Sequence, residues 1–94
     1  MRVIGIKKMD DFIQMHADAK TWLRSWLAEA RNSEWRYPND IKSRYKSASI
    51  LDKNRVIFNI KGNNYRMEIQ VSYENKVVII KRLGTHAEYD RWDI

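Results

Sequence analysis

The clearest pattern along the chain is an alternation of apolar and polar residues that begins at Arg55 and resumes after Gly62-Asn63. A period of two indicates β-strands with one buried face. With Gly62-Asn63 as a two-residue loop, the two strands form a hairpin. Its apolar residues then face each other in three pairs: Ile60 with Tyr65, Phe58 with Met67, and Val56 with Ile69. A shift by one residue would destroy this match, so the pattern predicts the register.

A third strand follows a turn near Glu74-Asn75, and its register is open. A two-residue loop there directs Val78 and Ile80 into the core and Lys81 to the polar face of the sheet. A loop one residue longer reverses the strand and directs Arg82 to that face instead. Either way, one basic residue of the pair joins Arg66 on the polar face, where the hairpin register places Arg66 opposite Asn59.

The first half of the chain changes to helical spacing. After a short β-branched strand from Arg2 to Ile6, Asp10 and Asp11 suit the N-terminal end of a helix. Asp18 is predicted to cap a second helix. That helix carries an apolar stripe: Trp22, Leu23, Trp26, Leu27 and Ala30. We predict that the two helices form a hairpin over one face of the sheet, and that Pro38 starts a further short turn.

Composition narrows the class of protein. Ninety-four residues suit one domain, predicted over 1–94, and the absence of cysteine favours a reducing compartment, with the cytoplasm as the default. No apolar run approaches the length of a membrane span. The net charge of +6 favours an anionic partner such as nucleic acid. The basic excess is concentrated between Arg36 and Arg55, which fits either a solvated loop or a rim that contacts phosphates.

The candidate functional residues lie on the polar face of the hairpin and on the segment that follows the last strand. The residues are Arg66, Lys61, either Lys81 or Arg82, His86 and Tyr89. Cleaving RNA without a metal requires a base for the 2′-hydroxyl, cations for the charged phosphorane, and an acid for the leaving oxygen. Histidine and arginine suit these tasks, and tyrosine can stack on a base. Each also has a structural explanation: a solvated strand residue, a surface histidine, or a core aromatic.

No other enzyme chemistry competes. The chain has no Gly-rich phosphate loop, no convincing Ser-His-Asp order, and no His/Asp/Glu spacing typical of a metal site, so neither a metal nor a cofactor is expected. The other histidine, His16, has no second ligand or nucleophile nearby and is expected to be structural.

Two segments, 58–66 and 84–90, resemble the HigB-type mRNA-interferase toxins of the RelE/ParE superfamily in order and separation. The features that carry the resemblance are Gly62, Asn63 and Arg66 in the hairpin, and Thr85-His86 followed by Tyr89-Asp90. It implies a RelE-like α+β fold, with two N-terminal helices packed on one face of a small antiparallel sheet of three or four strands.

The same resemblance implies a toxin that inhibits translation by cutting mRNA on the ribosome and that is neutralised by a HigA-type antitoxin. By this analogy Arg66 contacts the scissile phosphate, His86 transfers a proton, and Tyr89 positions the substrate. Lys61, Lys81 and Arg82 would bind RNA. The alternative is a non-catalytic protein of the same fold, either a ParE-like blocker of a protein target or a basic RNA-binding module.

Overall fold

The computed structural model describes residues 1–93 and contains five strands and four helices in this part of the chain. In chain order these are β1 (Arg2–Ile4), α1 (Ile6–Met15), α2 (Lys20–Asn32), α3 (Pro38–Arg44), β2 (Ser49–Ile50), β3 (Arg55–Ile60), β4 (Tyr65–Ser72), β5 (Val77–Thr85) and α4 (His86–Tyr89). A 3-10 turn at Ala17–Ala19 links α1 to α2. None of the helices within 1–93 is long and apolar enough to cross a membrane.

The strands form one sheet in the order β1-β5-β4-β3-β2. The α+β class is confirmed, but the expected antiparallel sheet of three or four strands is wrong. β1 pairs with β5 in parallel, which makes the sheet mixed. Antiparallel β2, only two residues long, adds the opposite edge. The sequence predicts a strand at β1 from its β-branched residues but does not predict β2. Neither edge strand is long enough to show a period, so the pattern gives no pairing for either.

The hairpin register is confirmed. Ile60 pairs with Tyr65, Phe58 with Met67, Val56 with Ile69, and Asn59 with Arg66. The connecting turn is longer than predicted, since the strands stop at Ile60 and resume at Tyr65. Lys61 and Gly62 adopt positive φ values of 50° and 68° there. Burial of one face fixes the register, and the turn adapts to it.

Strand β5 combines the two alternatives left open by the sequence. Ile69 pairs with Ile80, as a two-residue loop requires, whereas Glu68 pairs with Arg82, as the longer loop requires. The pairing shifts between Glu68 and Ile69, so Lys81 is an extra residue in a β-bulge. Val78 and Ile80 therefore lie in the core while Arg82 occupies the polar face.

The start of α1 and the cap of α2 differ from the predictions. β1 ends at Ile4, and α1 begins at Ile6 after Gly5, whose φ is 98°. A Cβ on Gly5 would lie 2.9 Å from the carbonyl oxygen of Ile80, so the close approach of this turn to β5 decides where the helix begins. Asp18 does not cap α2, because its carboxylate accepts a hydrogen bond from the Tyr65 hydroxyl at 2.6 Å.

The core lies between the helices and one face of the sheet. Four residues of the predicted stripe are buried in it, namely Leu23, Trp26, Leu27 and Ala30, while Trp22 packs against its edge. Met67 and Ile69 of β4 contribute from the sheet. Successive residues of a strand point to opposite faces, so Arg66 and Glu68, which alternate with Met67 and Ile69, belong to the face away from α1 and α2.

Candidate active site

Arg66 is the central residue of this second face. Its side chain is 7% exposed, which is rare for an arginine and requires partners for the charged group. Nη1 donates to the carbonyls of Asn63 and Tyr65, each at 3.1 Å, and Nη2 lies 3.2 Å from Nδ1 of His86. The guanidinium is thus fixed from the hairpin turn on one side and from α4 on the other.

Helix α4 brings two candidate residues to Arg66. It is a single turn held by a capping box, in which Thr85 and Glu88 satisfy each other's backbone N–H groups. The backbone N–H of His86 also donates to the Asn64 carbonyl at 3.0 Å, which ties α4 to the hairpin turn. The Tyr89 ring lies over Arg66, with 5.0 Å between Cζ and the ring centroid.

The structure therefore brings Arg66, His86 and Tyr89 together, although 20 residues separate Arg66 from His86. Their catalytic roles stay a prediction. The exposed imidazole of His86 and the partly exposed ring of Tyr89 border the surface, while Arg66 lies beneath them.

Asp90 is a candidate that the sequence reasoning did not identify. Its Oδ2 lies 3.7 Å from Nε2 of His86, four residues earlier in the chain. This spacing places two side chains on the same side of a helical turn, so the i, i+4 relationship was a usable signal. Asp90 is positioned to stabilise positive charge on the imidazole.

A second group of charges lies beside Arg66 on the same face. Glu68, 4% exposed, accepts a hydrogen bond from Nε of Arg82 at 2.6 Å. Nη1 of Arg55 lies 3.7 Å from the other oxygen of Glu68. The carboxylate thus orients Arg82 and lies between two cations on neighbouring strands.

Trp92 joins the two groups, and nothing in the sequence pattern singled it out. The Arg82 guanidinium lies 4.3 Å from the Trp92 ring centroid, and the rings of Tyr89 and Trp92 meet edge to face at 5.4 Å. Gly84 permits this packing, since a Cβ there would lie 3.0 Å from Cζ2 of Trp92. The C-terminal segment is therefore packed onto the sheet face through two cation–π contacts.

Lys61 and Lys81 do not join the Arg66 group. The ammonium of Lys61 lies 3.8 Å from Asp18, beside the helices. The hydrogen bond from Tyr65 lowers the pKa of Asp18 and raises that of Tyr65. Lys81 lies in the bulge and lines a groove against α1. Arg82 is thus the only one of the three predicted RNA-binding residues that contacts this site.

The basic zone between Arg36 and Arg55 is largely paired within the protein. Its arginines form three ion pairs: Arg36 with Asp40 at 3.8 Å, Arg44 with Glu29 at 2.9 Å, and Arg55 with Asp52 at 2.7 Å. Lys42 donates to the Ala48 carbonyl at 2.6 Å. These contacts favour the reading of a solvated, internally paired surface over a rim that contacts phosphates.

The remaining candidates from the sequence, His16 and a metal site, do not contribute to this site. His16 packs against the rings of Phe12 and Tyr65, with centroids 4.5 and 5.0 Å away, which makes it a packing residue. Within residues 1–93, no three His, Asp or Glu side chains are grouped closely enough to hold a metal ion.

Comparison with known proteins identifies the family. Residues 19–92 match the model of the HigB toxin, described as the RelE-like toxic component of a toxin–antitoxin system. The chain is 29% identical to the mRNA interferase toxin HigB of Escherichia coli K12, over 96% of this chain and 88% of the relative. The mRNA interferases HigB of Escherichia coli O157:H7 and Shigella flexneri match equally well. Because the family model covers most of the chain, this protein belongs to the HigB family of RelE-like toxins.

Proposed function

We propose that this protein is an endoribonuclease that cleaves mRNA on the ribosome and so inhibits translation. The group formed by Arg66, His86 and Tyr89 carries the proposal, because it places a buried cation, an imidazole and an aromatic ring at one surface. The relatives named mRNA interferases support the reaction class.

The resting geometry suggests how His86 acts. An arginine has no lone pair to accept a hydrogen bond, so Nδ1 of His86 must be the acceptor and the neutral ring carries its proton on Nε2. A phosphate that binds the Nη2 edge of Arg66 competes for this hydrogen bond and frees Nδ1. The freed nitrogen can then take the proton from the 2′-hydroxyl, while Asp90 stabilises the imidazolium.

In the reaction that follows, the 2′-oxygen bonds to phosphorus and the bond from phosphorus to the 5′-oxygen breaks. The leaving 5′-oxygen takes up a proton from water, and the imidazolium of His86 later returns its proton to water. Arg66 stabilises the negative charge that accumulates on the phosphorane, and its planar group suits two phosphate oxygens. No step requires a metal or cofactor, so we propose a metal-independent reaction.

The decisive experiment is single-turnover cleavage of mRNA on programmed ribosomes. Wild type should cleave the message, and His86→Ala should cleave about 100-fold more slowly, the usual scale for one proton-transfer group. Asp90→Asn should slow cleavage by a smaller factor. Asp93→Asn, on the same exposed segment, is the matched control and should behave as wild type.

Two further conditions test whether cleavage depends on the ribosome and on divalent metal ions. Message without ribosomes should remain intact, and chelation of divalent ions that leaves the ribosome assembled should leave the rate unchanged. If wild type cleaves nothing, the non-catalytic alternative holds instead: a blocker of a protein target or an RNA-binding module.

We also propose that the antitoxin of this toxin is of the HigA type, a small DNA-binding protein encoded next to it. The net charge of +6 complements an acidic segment of such a partner. Expression of the toxin alone should arrest growth, and co-expression of the neighbouring gene should restore it. Normal growth without the neighbour would contradict the assignment as a toxin.

A further inference from the structure

A groove of about 470 Å³ lies next to the candidate active site, between α1, the bulge of β5 and α4. The residues that matter for its chemistry are Lys8, Phe12, Met15, Lys81, Leu83 and Glu88. Arg82 lines the groove as well, and it bonds Glu68 and lies over the Trp92 ring on the face of the sheet that carries Arg66. The groove therefore opens beside the surface where the reaction is proposed to occur.

The wall of the groove is apolar. Phe12 and Leu83 both pack against the edge of the core and present the rest of their side chains to the groove. Met15 is 81% exposed, by far the most exposed of the large hydrophobic residues in 1–93. An exposed, flexible thioether next to an aromatic ring offers a surface on which a flat ring system can stack.

The rim of the groove is cationic. Lys8 donates to the carbonyl of Lys81 at 3.1 Å, which places its ammonium beside the bulge. The ammonium of Lys81 itself forms no ion pair within residues 1–93. Two acidic residues line the groove. Asp11 is paired with Lys7 at 3.0 Å, and the Glu88 carboxylate accepts the backbone N–H of Thr85 at 2.8 Å. The two lysines, Lys8 and Lys81, therefore leave the rim with a net positive charge.

The bulge explains why Lys81 is available here. Without it, the register of β5 would place Lys81 beside Glu68 on the polar face. The extra residue gives that position to Arg82, whose Nε bonds Glu68, and leaves Lys81 to line the groove. Bulges near active sites commonly redirect a side chain in this way.

We propose that this groove binds the nucleotide that flanks the scissile phosphate in the message. The base stacks against Met15 and Phe12, and Lys8 and Lys81 contact the phosphate of that nucleotide. This inference rests on the proposed function, because a single strand leaving the Arg66 group passes into the groove beside α4. The groove then contributes substrate affinity, while the chemical step stays with His86 and Arg66.

The lysines are tested by single-turnover cleavage on programmed ribosomes over a range of toxin concentrations. The double variant Lys8→Gln/Lys81→Gln should raise the half-saturating concentration about ten-fold and leave the maximal rate within about three-fold of wild type, since it removes phosphate contacts but no reacting group. The control Lys20→Gln/Lys76→Gln removes the same charge from exposed positions outside the groove and should leave both values unchanged.

Stacking is tested by crossing Met15→Ser with a message that lacks one flanking base. Met15→Ser alone should raise the half-saturating concentration several-fold. Removal of the base should do the same on one side of the scissile phosphate, the side that enters the groove. Together they should raise it no further than the larger single effect, because both remove the same contact. Met15 is exposed, so its replacement should not affect folding.

The outcomes separate this inference from the proposed function. If wild type cleaves and the lysine variant matches its control, the groove is not a nucleotide site although the protein is a nuclease. If the effects of Met15→Ser and of the missing base on the half-saturating concentration add up on both sides of the scissile phosphate, the proposed stacking contact is wrong. If the variants cleave normally but lose binding of the antitoxin, the groove is a protein interface. If wild type does not cleave at all, the proposed function itself is overturned.

Discussion

Nη2 of Arg66 lies 3.2 Å from Nδ1 of His86, within hydrogen-bond distance. A guanidinium only donates, so a hydrogen bond here uses the tautomer that carries its proton on Nε2, the nitrogen that lies 3.7 Å from Asp90. The interaction holds His86 in position and also occupies the nitrogen that would act as base. Binding of a phosphate to Arg66 would both fix the substrate and release that nitrogen.

Arg66→Lys tests the planar guanidinium. Lysine keeps the charge but cannot reach the carbonyls of Asn63 and Tyr65 and the imidazole at the same time. We expect the free energy of unfolding to fall by about 1–3 kcal/mol, because buried acceptors lose their donors, and cleavage to fall about 100-fold. Chemical denaturation and single-turnover rates measure the two effects. Arg91→Lys, exposed on the C-terminal segment, is the control. A wild-type rate for Arg66→Lys would remove the guanidinium from the chemistry.

Two substitutions of Tyr89 distinguish the role of its ring from the role of its hydroxyl. The contact with Arg66 uses the ring face, at 5.0 Å, and the hydroxyl has no hydrogen-bond partner within residues 1–93. Tyr89→Phe should therefore cleave within about three-fold of wild type, whereas Tyr89→Ala should lose about ten-fold or more because the cation–π contact is gone. A large loss in Tyr89→Phe would instead assign the hydroxyl a direct role with the substrate.

Gly84 controls how closely the C-terminal segment approaches the sheet. A Cβ there would lie 3.0 Å from Trp92 and 3.2 Å from Cβ of Glu88, so Gly84→Ala should displace α4. We expect a loss of about 1–3 kcal/mol in unfolding free energy, together with slower cleavage. In a Trp92→Ala background the cost of Gly84→Ala should be smaller, because one of the two clashing groups is absent. Equal costs in both backgrounds would mean that Trp92 does not pack on Gly84.

The capping box of α4 should make its stability depend on pH. The backbone N–H of Thr85 donates to the Glu88 carboxylate at 2.8 Å and lowers the pKa of Glu88. Because the folded pKa lies below the unfolded value of roughly 4.3, this contribution is fully present above that value and is lost as the pH falls through the folded pKa. Unfolding of wild type and Glu88→Gln should therefore differ at pH 6 and converge toward pH 3. A constant difference would exclude the carboxylate as the source.

Glu68 tests the paired charges beside the active site. It lies almost fully buried between Arg82, at 2.6 Å, and Arg55, at 3.7 Å. Glu68→Gln leaves Arg82 without a counter-charge and leaves Arg55 with only the exposed Asp52. We expect a loss of about 3 kcal/mol in unfolding free energy, the lower end for such pairs because both arginines are partly exposed. Asp52→Asn, which removes an exposed partner of Arg55, should cost far less. Similar losses in the two variants would contradict a buried role for Glu68.

The pattern of apolar residues is enough to specify the central hairpin and the buried side of α2. The register from Val56 to Ile69 follows from the alternation of apolar residues, since only one pairing buries all of them on one face. The stripe from Trp22 to Ala30 identifies the buried side of α2 for the same reason. Arg66, His86 and Tyr89 were identified through the resemblance, and the register gave the face of the sheet for Arg66.

Three features depend on contacts between distant segments of the chain: the parallel pairing of β1 with β5, the bulge at Lys81, and the position of Trp92. A three-residue strand shows no period, so its partner depends on where α1 and α2 return the chain. Ile80 and Leu83 face the core on either side of the bulge and are three positions apart, so the spacing breaks the period of two without showing which residue is extra. Trp92 acquires its contacts because Gly84 lets the last turn pack against the sheet. Local patterns specify which side of an element is buried, whereas contacts between distant segments select which polar residues meet.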